Sequence, residues 1–434
     1  MAALDPPFTR HGVTMGSKTT TISMIWGRQA SMDNLDRVKV EAQEGPIRSL
    51  KVGYLLDLMA MFAFGAYFNI YLHRVGLTGK EIGFVAACGP LVALVSQPFW
   101  GHIADNRWGR TRTLRILVFM SATLCPFFLV SSRVVILMIV ATVISFFSNS
   151  VVPMMDAVAM GFVGGSEGGF AKIRLWGTVG GIISTLVAGA LFERIDVGYV
   201  FYMYAGLMYL CWVSTHYLPH ISPADPVATG APPSPGRGGL TRLLANRNFR
   251  LLALSAFFLQ VTNNCHQSFF GVYLVEQGAT ESIIGIAWLL ALVSELAFWL
   301  SYRFLAGFDA RTLYVIGAGF FSLRWLLNAT ISAPLAIVVT QMLTGLSLSI
   351  TYLSGVSLVD KFSPVDLRAT GQTIFTGLTI GGGAVVGSLV GGVLYDAVGL
   401  KKIYIGAAML ALVAMPPLLR LQMEEGHRSL NRAM

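Results

Sequence analysis

Charge is what this sequence has least of: only 12% of its 434 residues are Asp, Glu, Lys or Arg, while 54% are hydrophobic. Soluble globular chains carry roughly a quarter charged residues, so a water-solvated domain is excluded at the outset. Cysteine is equally sparse. The four present, Cys88, Cys125, Cys211 and Cys265, fall in apolar segments and read as small core residues, not as a disulfide framework. His216 and His220 have the i, i+4 spacing of a metal pair, but Pro219 breaks the helix between them and no third ligand lies nearby, so no metal site is expected. There is no phosphate-binding loop, nucleophile elbow or nucleotide-binding domain. The chain is therefore expected to be neither an enzyme nor an ATP-driven pump, and to need no cofactor.

Long apolar runs are what it has. Twelve recur, most of them long enough to cross a ~30 Å hydrocarbon core: Val52–Leu72, Ile82–Trp100, Ile116–Val130, Val134–Val163, Leu175–Phe192, Val197–Leu218, Leu251–Val275, Ile283–Tyr302, Leu313–Thr330, Ala333–Val359, Ala369–Tyr395 and Ile403–Leu419. Lipid offers no partner to a bare N–H or C=O, so such runs must be helices. The expected fold is an all-α integral membrane protein with twelve transmembrane helices. With the amino terminus in the cytoplasm and the spans alternating, 24 Lys and Arg fall on the inner side and 6 on the outer, with Arg324 inside a span. The positive-inside rule expects such a bias, so both termini are assigned to the cytoplasm. The net charge of +9 then reflects topology and not a nucleic-acid surface. A multi-pass monomer in the lipid bilayer of the plasma membrane, or of an organelle, is expected.

Residues 1–48 hold no apolar segment and read as a disordered cytoplasmic tail or an organellar targeting sequence. Residues 219–248 include "PHISPADPVATGAPPSPGRGGL", a Pro/Gly-rich stretch that reads as a cytoplasmic linker. It separates two six-helix bundles, 49–218 and 249–421, and a cytoplasmic tail, 422–434, follows. The bundles look like copies of one unit. "NIYLHRVGLTGKEIG" (Asn69–Gly83) aligns with "GVYLVEQGATESIIG" (Gly271–Gly285) at an offset of 202 residues, and "VAGALFERI" (Val187–Ile195) with "VGGVLYDAV" (Val390–Val398) at an offset of 203. Six helices per copy keep both in one orientation. Such a parallel repeat is a transporter architecture, with the substrate site expected near the midplane between the halves.

Between the second and third spans lies "GHIADNRWGRTR". Gly109 permits a tight turn there, and Asp105 can cap a helix or pair with Arg110, making a latch that opens and closes. Gly101, Asp105, Gly109, Arg110 and Arg112 match the loop signature of the major facilitator superfamily, with Asn106 standing where a first basic residue is usual. In the second half, "GFDARTL" keeps only Asp309 and Arg311 of it. "GAYFNIYLHRVGLTGKEIG", "SQPFWG", "FAKIRLWGTVGG", "SELAF" and "SLRW" extend the likeness over residues 50 to 420, and the chain resembles the lactose-permease-like branch, whose members are oligosaccharide and nucleoside symporters driven by protons.

Charged residues within the spans are few: Asp57, Asp156, Glu295 and Arg324, with Arg174 at the mouth of the fifth span. Each costs about 2.5–3.5 kcal/mol at mid-helix on the insertion scale, so each should face an interior cavity and find a partner. Asp156 with Arg174, and Glu295 with Arg324, are the pairs expected, in corresponding places of the two halves. They serve either a site or packing alone. Asn263, Asn264, His266 and Gln267 crowd the seventh span in "NNCHQ" and suggest a cavity-facing polar surface. His266 is there either a pH-responsive group or a satisfied core residue. Asp57 either titrates or is a hydrogen-bonded structural residue, and Trp325 either stacks on a sugar or nucleobase ring or packs.

The resemblance adds roles to these residues. It implies that Asp156 and Arg174 bind solute hydroxyls, that Glu295 is the carboxylate of the eighth helix, and that Arg324 is the arginine beside the proton site. It also implies a His and a Glu on the tenth helix, where this chain has Thr344 and Ser347, and an aromatic platform on the fifth, where it has Gly181. The expected function is secondary transport of a small polar organic solute (sugar, oligosaccharide or nucleoside) by alternating access, with a coupled proton or, as an uncoupled facilitator, without one. A non-transporting receptor or scaffold is the alternative from another class. The candidate binding residues are Asp156, Arg174, Asn263, Asn264, His266, Gln267 and Trp325; Asp57, Glu295 and Arg324 are the candidates for coupling.

Overall fold

In the computed structural model, residues 17–163, 167–219, 239–301, 305 and 307–413 are described, and they form helices joined by short turns, with no strand among them. The long helical runs are α1 (Ser17–Arg74), α2 (Gly79–Trp108), α3 (Arg110–Leu129), α4 (Val134–Phe162), α5 (Glu167–Phe192), α6 (Tyr199–Thr215), α7 (Arg247–Glu276), α8 (Glu281–Ser301), α9 (Ala310–Thr330), α10 (Pro334–Phe362), α11 (Val365–Val398) and α12 (Leu400–Val413). Eight of them, α1 to α5, α8, α10 and α11, are long and apolar enough to cross a membrane. Of the other four, α6 has 17 residues, α12 runs to the end of the described residues, and α7 and α9 are long but carry the polar cluster and Arg324. The chain read as a disordered tail is helical from Ser17 onward. Residues 1–16, the linker residues 220–238 with His220, and the tail after Val413 lie outside the described residues. The cysteines are unpaired, and Cys125, Cys211 and Cys265 are buried among apolar side chains.

Helix packing follows the repeat. In the first group α1 lies against α5 and α6, α2 against α4, and α3 against α4 and α6. In the second, α7 lies against α11 and α12, α8 against α10, and α9 against α10 and α12, which is the same scheme advanced by six helices. The turns repeat as well. Gly76 and Gly278, 202 residues apart, hold positive φ of 90° and 81°. Beside them Leu77 N–H donates to the Leu72 carbonyl at 3.1 Å, and Ala279 N–H to that of Leu274 at 2.9 Å. A left-handed residue ending a helix in this way satisfies carbonyls that the helix cannot, and a glycine takes that conformation without strain.

The two groups meet where α2 crosses α11 and α5 crosses α8. A Cβ on Gly83 would lie 3.2 Å from Gly392 Cα, and one on Gly285 would lie 3.3 Å from Gly189 Cα. Small residues allow this approach, and in lipid such packing takes the place of a hydrophobic force between helices. Gly83→Val is therefore expected to cost about 1–3 kcal/mol through overpacking. Gly206→Ala, with open space at its Cβ, is expected to leave the melting temperature unchanged or to raise it. Thermal unfolding in detergent micelles checks both.

Candidate functional site

Just beyond the glycine crossings, one end of the molecule is closed by contacts between the groups. Asp396, on the last turn of α11, accepts from the backbone N–H of Gly79 at 2.7 Å and of Lys80 at 2.8 Å, so its carboxylate caps the start of α2. The same helix end has its own capping box between Thr78 and Glu81. Glu193, which aligns with Asp396 across the repeat, accepts from the Ser282 hydroxyl at the start of α8. Arg74 pairs with Glu281, and the Tyr67 hydroxyl donates to the Glu281 carbonyl at 2.9 Å. An anion at a helix N-terminus meets free N–H groups and the positive end of the dipole, which is how Asp396 holds α2, whereas Glu193 holds the start of α8 through the Ser282 side chain.

The opposite end carries the loop signature. Gly109 holds φ 76°, Arg110 Nε donates to Asp105 Oδ1 at 3.1 Å, and the Arg112 guanidinium lies 5.8 Å over the Trp108 ring. Gly101 lines a small hollow of about 120 Å³ beside that pair. Asp105–Arg110 and Arg368–Asp360 at this end each join residues of one group, and Arg242–Asp366 ties the segment before α7 to the second group.

Between the groups lies a cavity of about 600 Å³. Its rings are Phe62, Phe64, Phe68, Phe128, Tyr204 and Trp288, and its amides are Asn69, Asn149, Asn264 and Gln267. Among the described residues, Asp57 is the only Asp, Glu, Lys, Arg or His in its lining. The Trp288 Nε1 donor and the Asn69 Oδ1 acceptor have no hydrogen-bond partner among the described residues. Phe62 packs where a Cβ on Gly181 would stand, so α1 supplies a ring beside the position where α5 has none. None of Trp288, Asn69, Asn149 and Phe62 stood out in the sequence. Their one signal is a polar or aromatic side chain in mid-span, and that is shared by many packing residues.

The expected site residues divide. Asn264 and Gln267 line the cavity; Asn263 and His266, on another face of α7, do not. Asn263 Oδ1 accepts from Arg324 Nη2 at 3.1 Å, and Arg324 Nη1 donates to Thr344 Oγ1 at 2.6 Å. The guanidinium carbon sits 3.9 Å from the centre of the Trp325 ring, which stacks on Tyr404 at 5.6 Å. His266 lies between the Tyr404 hydroxyl at 2.9 Å and Gln341 Oε1 at 3.3 Å. Arg324 and Trp325 are 0% exposed and His266 is 1% exposed, so Trp325 offers no face to a solute.

The expected pairing of Glu295 with Arg324 is corrected. Glu295 is exposed and hydrogen-bonds Trp299 one turn along α8. The reason is the packing: α8 lies against α10 and α5, α9 lies against α10 and α12, and α8 and α9 do not pack on each other. The places also do not correspond, since α4 and α5 repeat as α10 and α11. Asp156 and Arg174 do pair: Arg174 Nη1 meets both carboxylate oxygens at 2.8 and 2.7 Å, and the Tyr54 hydroxyl donates to Asp156 Oδ1 at 2.6 Å. Both side chains are partly exposed, and neither is in the cavity lining.

The model of the MFS_1 like family matches residues 47–405. Maltose permease of Geobacillus stearothermophilus is 27% identical over 86% of this chain and 94% of its own. An Escherichia coli (strain K12) protein described as a probable 3-phenylpropionic acid transporter is 24% identical over 85% of this chain and 95% of its own. Among solved structures, the nucleoside transporter NupG superposes with a TM-score of 0.77 at 19% identity, over 87% of this chain and 99% of that one; this likeness is one of fold.

Asp396→Ala removes one of the two carboxylate latches. It is expected to raise several-fold the labelling of an Ala384→Cys reporter, which lines the cavity, by an impermeant maleimide added from the closed side. Alkylation rates in sealed vesicles of a variant lacking the four native cysteines measure this.

Proposed function

The chain belongs to the MFS_1 like family, and on that premise we propose that it is a secondary transporter moving a sugar, oligosaccharide or nucleoside across the plasma membrane by alternating access. All twelve long helices span the membrane in this reading, as two six-helix bundles, 49–218 and 249–421, with both termini and the linker in the cytoplasm. The loop-signature end is then cytoplasmic, the latched end faces outside, and the molecule stands with its outer gate shut. The Asp105–Arg110 pair belongs to the inner gate, which forms bonds between the groups when the outer latches release.

The observation that carries this reading is the cavity between the repeats, closed at one end and lined by rings and amides, with no cation among the described residues of its lining. Ligand pockets of roughly 300–1,000 Å³ with a few convergent polar groups are the usual form of a small-molecule site. Rings give flat faces to a sugar or a base, and Asn264 and Gln267 give hydrogen bonds to its edges. A carboxylate solute would meet Asp57 and no Lys, Arg or His, so a neutral solute suits the site better than an organic acid. An uncoupled facilitator is the second reading, favoured by Thr344 and Ser347 in the place of the inherited proton site.

Thermal stabilisation of the purified protein tests the substrate class. At a hundredfold excess over Kd a bound solute adds about 2.7 kcal/mol to stability. A raised melting temperature is expected with a member of the sugar or nucleoside set and none with organic acids. The rise should disappear in Gln267→Ala and Trp288→Ala and persist in Arg174→Ala, whose guanidinium is held by Asp156. An organic acid as the sole stabilising ligand would sink the assignment.

A further inference from the structure

Asp57 is 1% exposed, sits in the wall of the central cavity, and has Oδ2 without a hydrogen-bond partner among the described residues. The groups around it are few. Tyr54 is one turn back on α1, Asp156 stands on α4 with Arg174 on α5, and Tyr204 and Cys211 come from α6. None supplies a cation. Arg174 is engaged by both oxygens of Asp156, and Tyr54 gives its proton to the same carboxylate. At the cavity, α2 brings Val85, Ala86, Gly89 and Pro90, α7 brings Asn264, Gln267 and Ser268, and α8 brings Trp288, all without charge.

A carboxylate sealed among such groups needs a positive partner or must take up a proton, because an isolated buried charge is the costliest state open to it. The unpartnered oxygen is buried, and a proton, unlike a cationic solute, needs no space beside it. The residues that resemblance would choose are placed differently: Glu295 is exposed and not in the cavity lining, and Arg324 is enclosed with Thr344 and Asn263.

We propose that Asp57 is the proton-carrying residue of this transporter, so that coupling resides on the first helix of the amino-terminal group and not on the ninth and tenth helices. The proposal rests on the transport reading above. Asp57 takes a proton from water in the outward-facing cavity, crosses the gating transition as a neutral acid, and returns the proton to water on the cytoplasmic side. No other bond is made or broken. Tyr54, Asp156 and Arg174 act as a positioning group, because their mutual pairing leaves Asp57 without a counter-ion.

The test uses the full chain in proteoliposomes, with radiolabelled uridine or maltose as probes and an imposed inward proton gradient. Wild type is expected to accumulate one of them above equilibrium. Asp57→Asn is expected to lose accumulation and keep counterflow, the exchange of labelled for unlabelled solute; Glu295→Gln is expected to keep both. Accumulation that survives in Asp57→Asn overturns the proposal, and so does wild-type uptake indifferent to the gradient, although transport itself then stands. Absence of counterflow for both probes in wild type counts against the transport reading, and infrared titration then decides Asp57 by itself. One titrating carboxyl stretch must vanish in Asp57→Asn, and its persistence overturns the proposal. If Asp57→Asn does not fold, Asp57→Glu serves: a shifted pH midpoint of uptake supports the assignment, and an unmoved midpoint overturns it.

Discussion

Two glycine crossings, α2 over α11 and α5 over α8, are the contacts on which the rest of the structure depends. Lipid gives helices no hydrophobic reason to associate, so they are held by close packing and by polar contacts. Without a Cβ at Gly83, Gly189, Gly285 or Gly392, the paired backbones approach far enough for Asp396 to reach the first N–H groups of α2 and for Glu193 to reach the start of α8. Each latch therefore exists only because a glycine lies a turn or so away. The crossings close one end, and the space the groups cannot fill beyond them is the cavity. Because both latches hold helix ends by a carboxylate and not by buried apolar surface, they can be released and remade without exposing a core.

Buried charge is handled in two ways. The Asp156–Arg174 pair stays half-exposed, where water shares the cost of both ions. Arg324 has no such help. It is enclosed with neutral oxygens of Asn263 and Thr344 and an aromatic face, and its Nε has no partner among the described residues. Hydrogen bonds to a charged group are worth about 1.5–3 kcal/mol each, and a desolvated cation–π contact adds about 2 kcal/mol. Together they are of the same order as the several kcal/mol needed to bury one ion. The cage is sufficient without an acid, which explains why Thr344 can stand where a titrating residue stood in the family pattern.

How much of this was legible in the sequence differs by level. The helices were, because apolar runs in lipid admit no other structure, and so was the repeat, since the aligned segments carry the very turns and crossings that hold the groups together. The site was only half legible. "NNCHQ" reads as one polar surface, yet 3.6 residues per turn put Asn264 and Gln267 on the cavity and turn Asn263 and His266 toward Arg324. Glu295 was matched to Arg324 because their helices are consecutive, whereas the bundle interposes α10. Trp288 and Asn69 were invisible for a different reason. What distinguishes them is a donor and an acceptor left free at a cavity wall, and a free hydrogen-bonding atom has no sequence signature.

These observations also bear on how the two halves share the work. The repeat is symmetric in its backbone and asymmetric in its charge. The carboxy-terminal group holds its one central cation in a cage that excludes water, so neither its charge nor its geometry has reason to change during a cycle. The amino-terminal group holds a carboxyl without a counter-ion, in the wall of a space that water must enter whenever the cavity opens. A coupled ion can act only on a group whose charge state differs between the two faces of the membrane, and between these two only Asp57 meets that condition. With coupling at Asp57 as proposed, Arg324 is the rigid post of its group, fixing α7, α9 and α10 to one another.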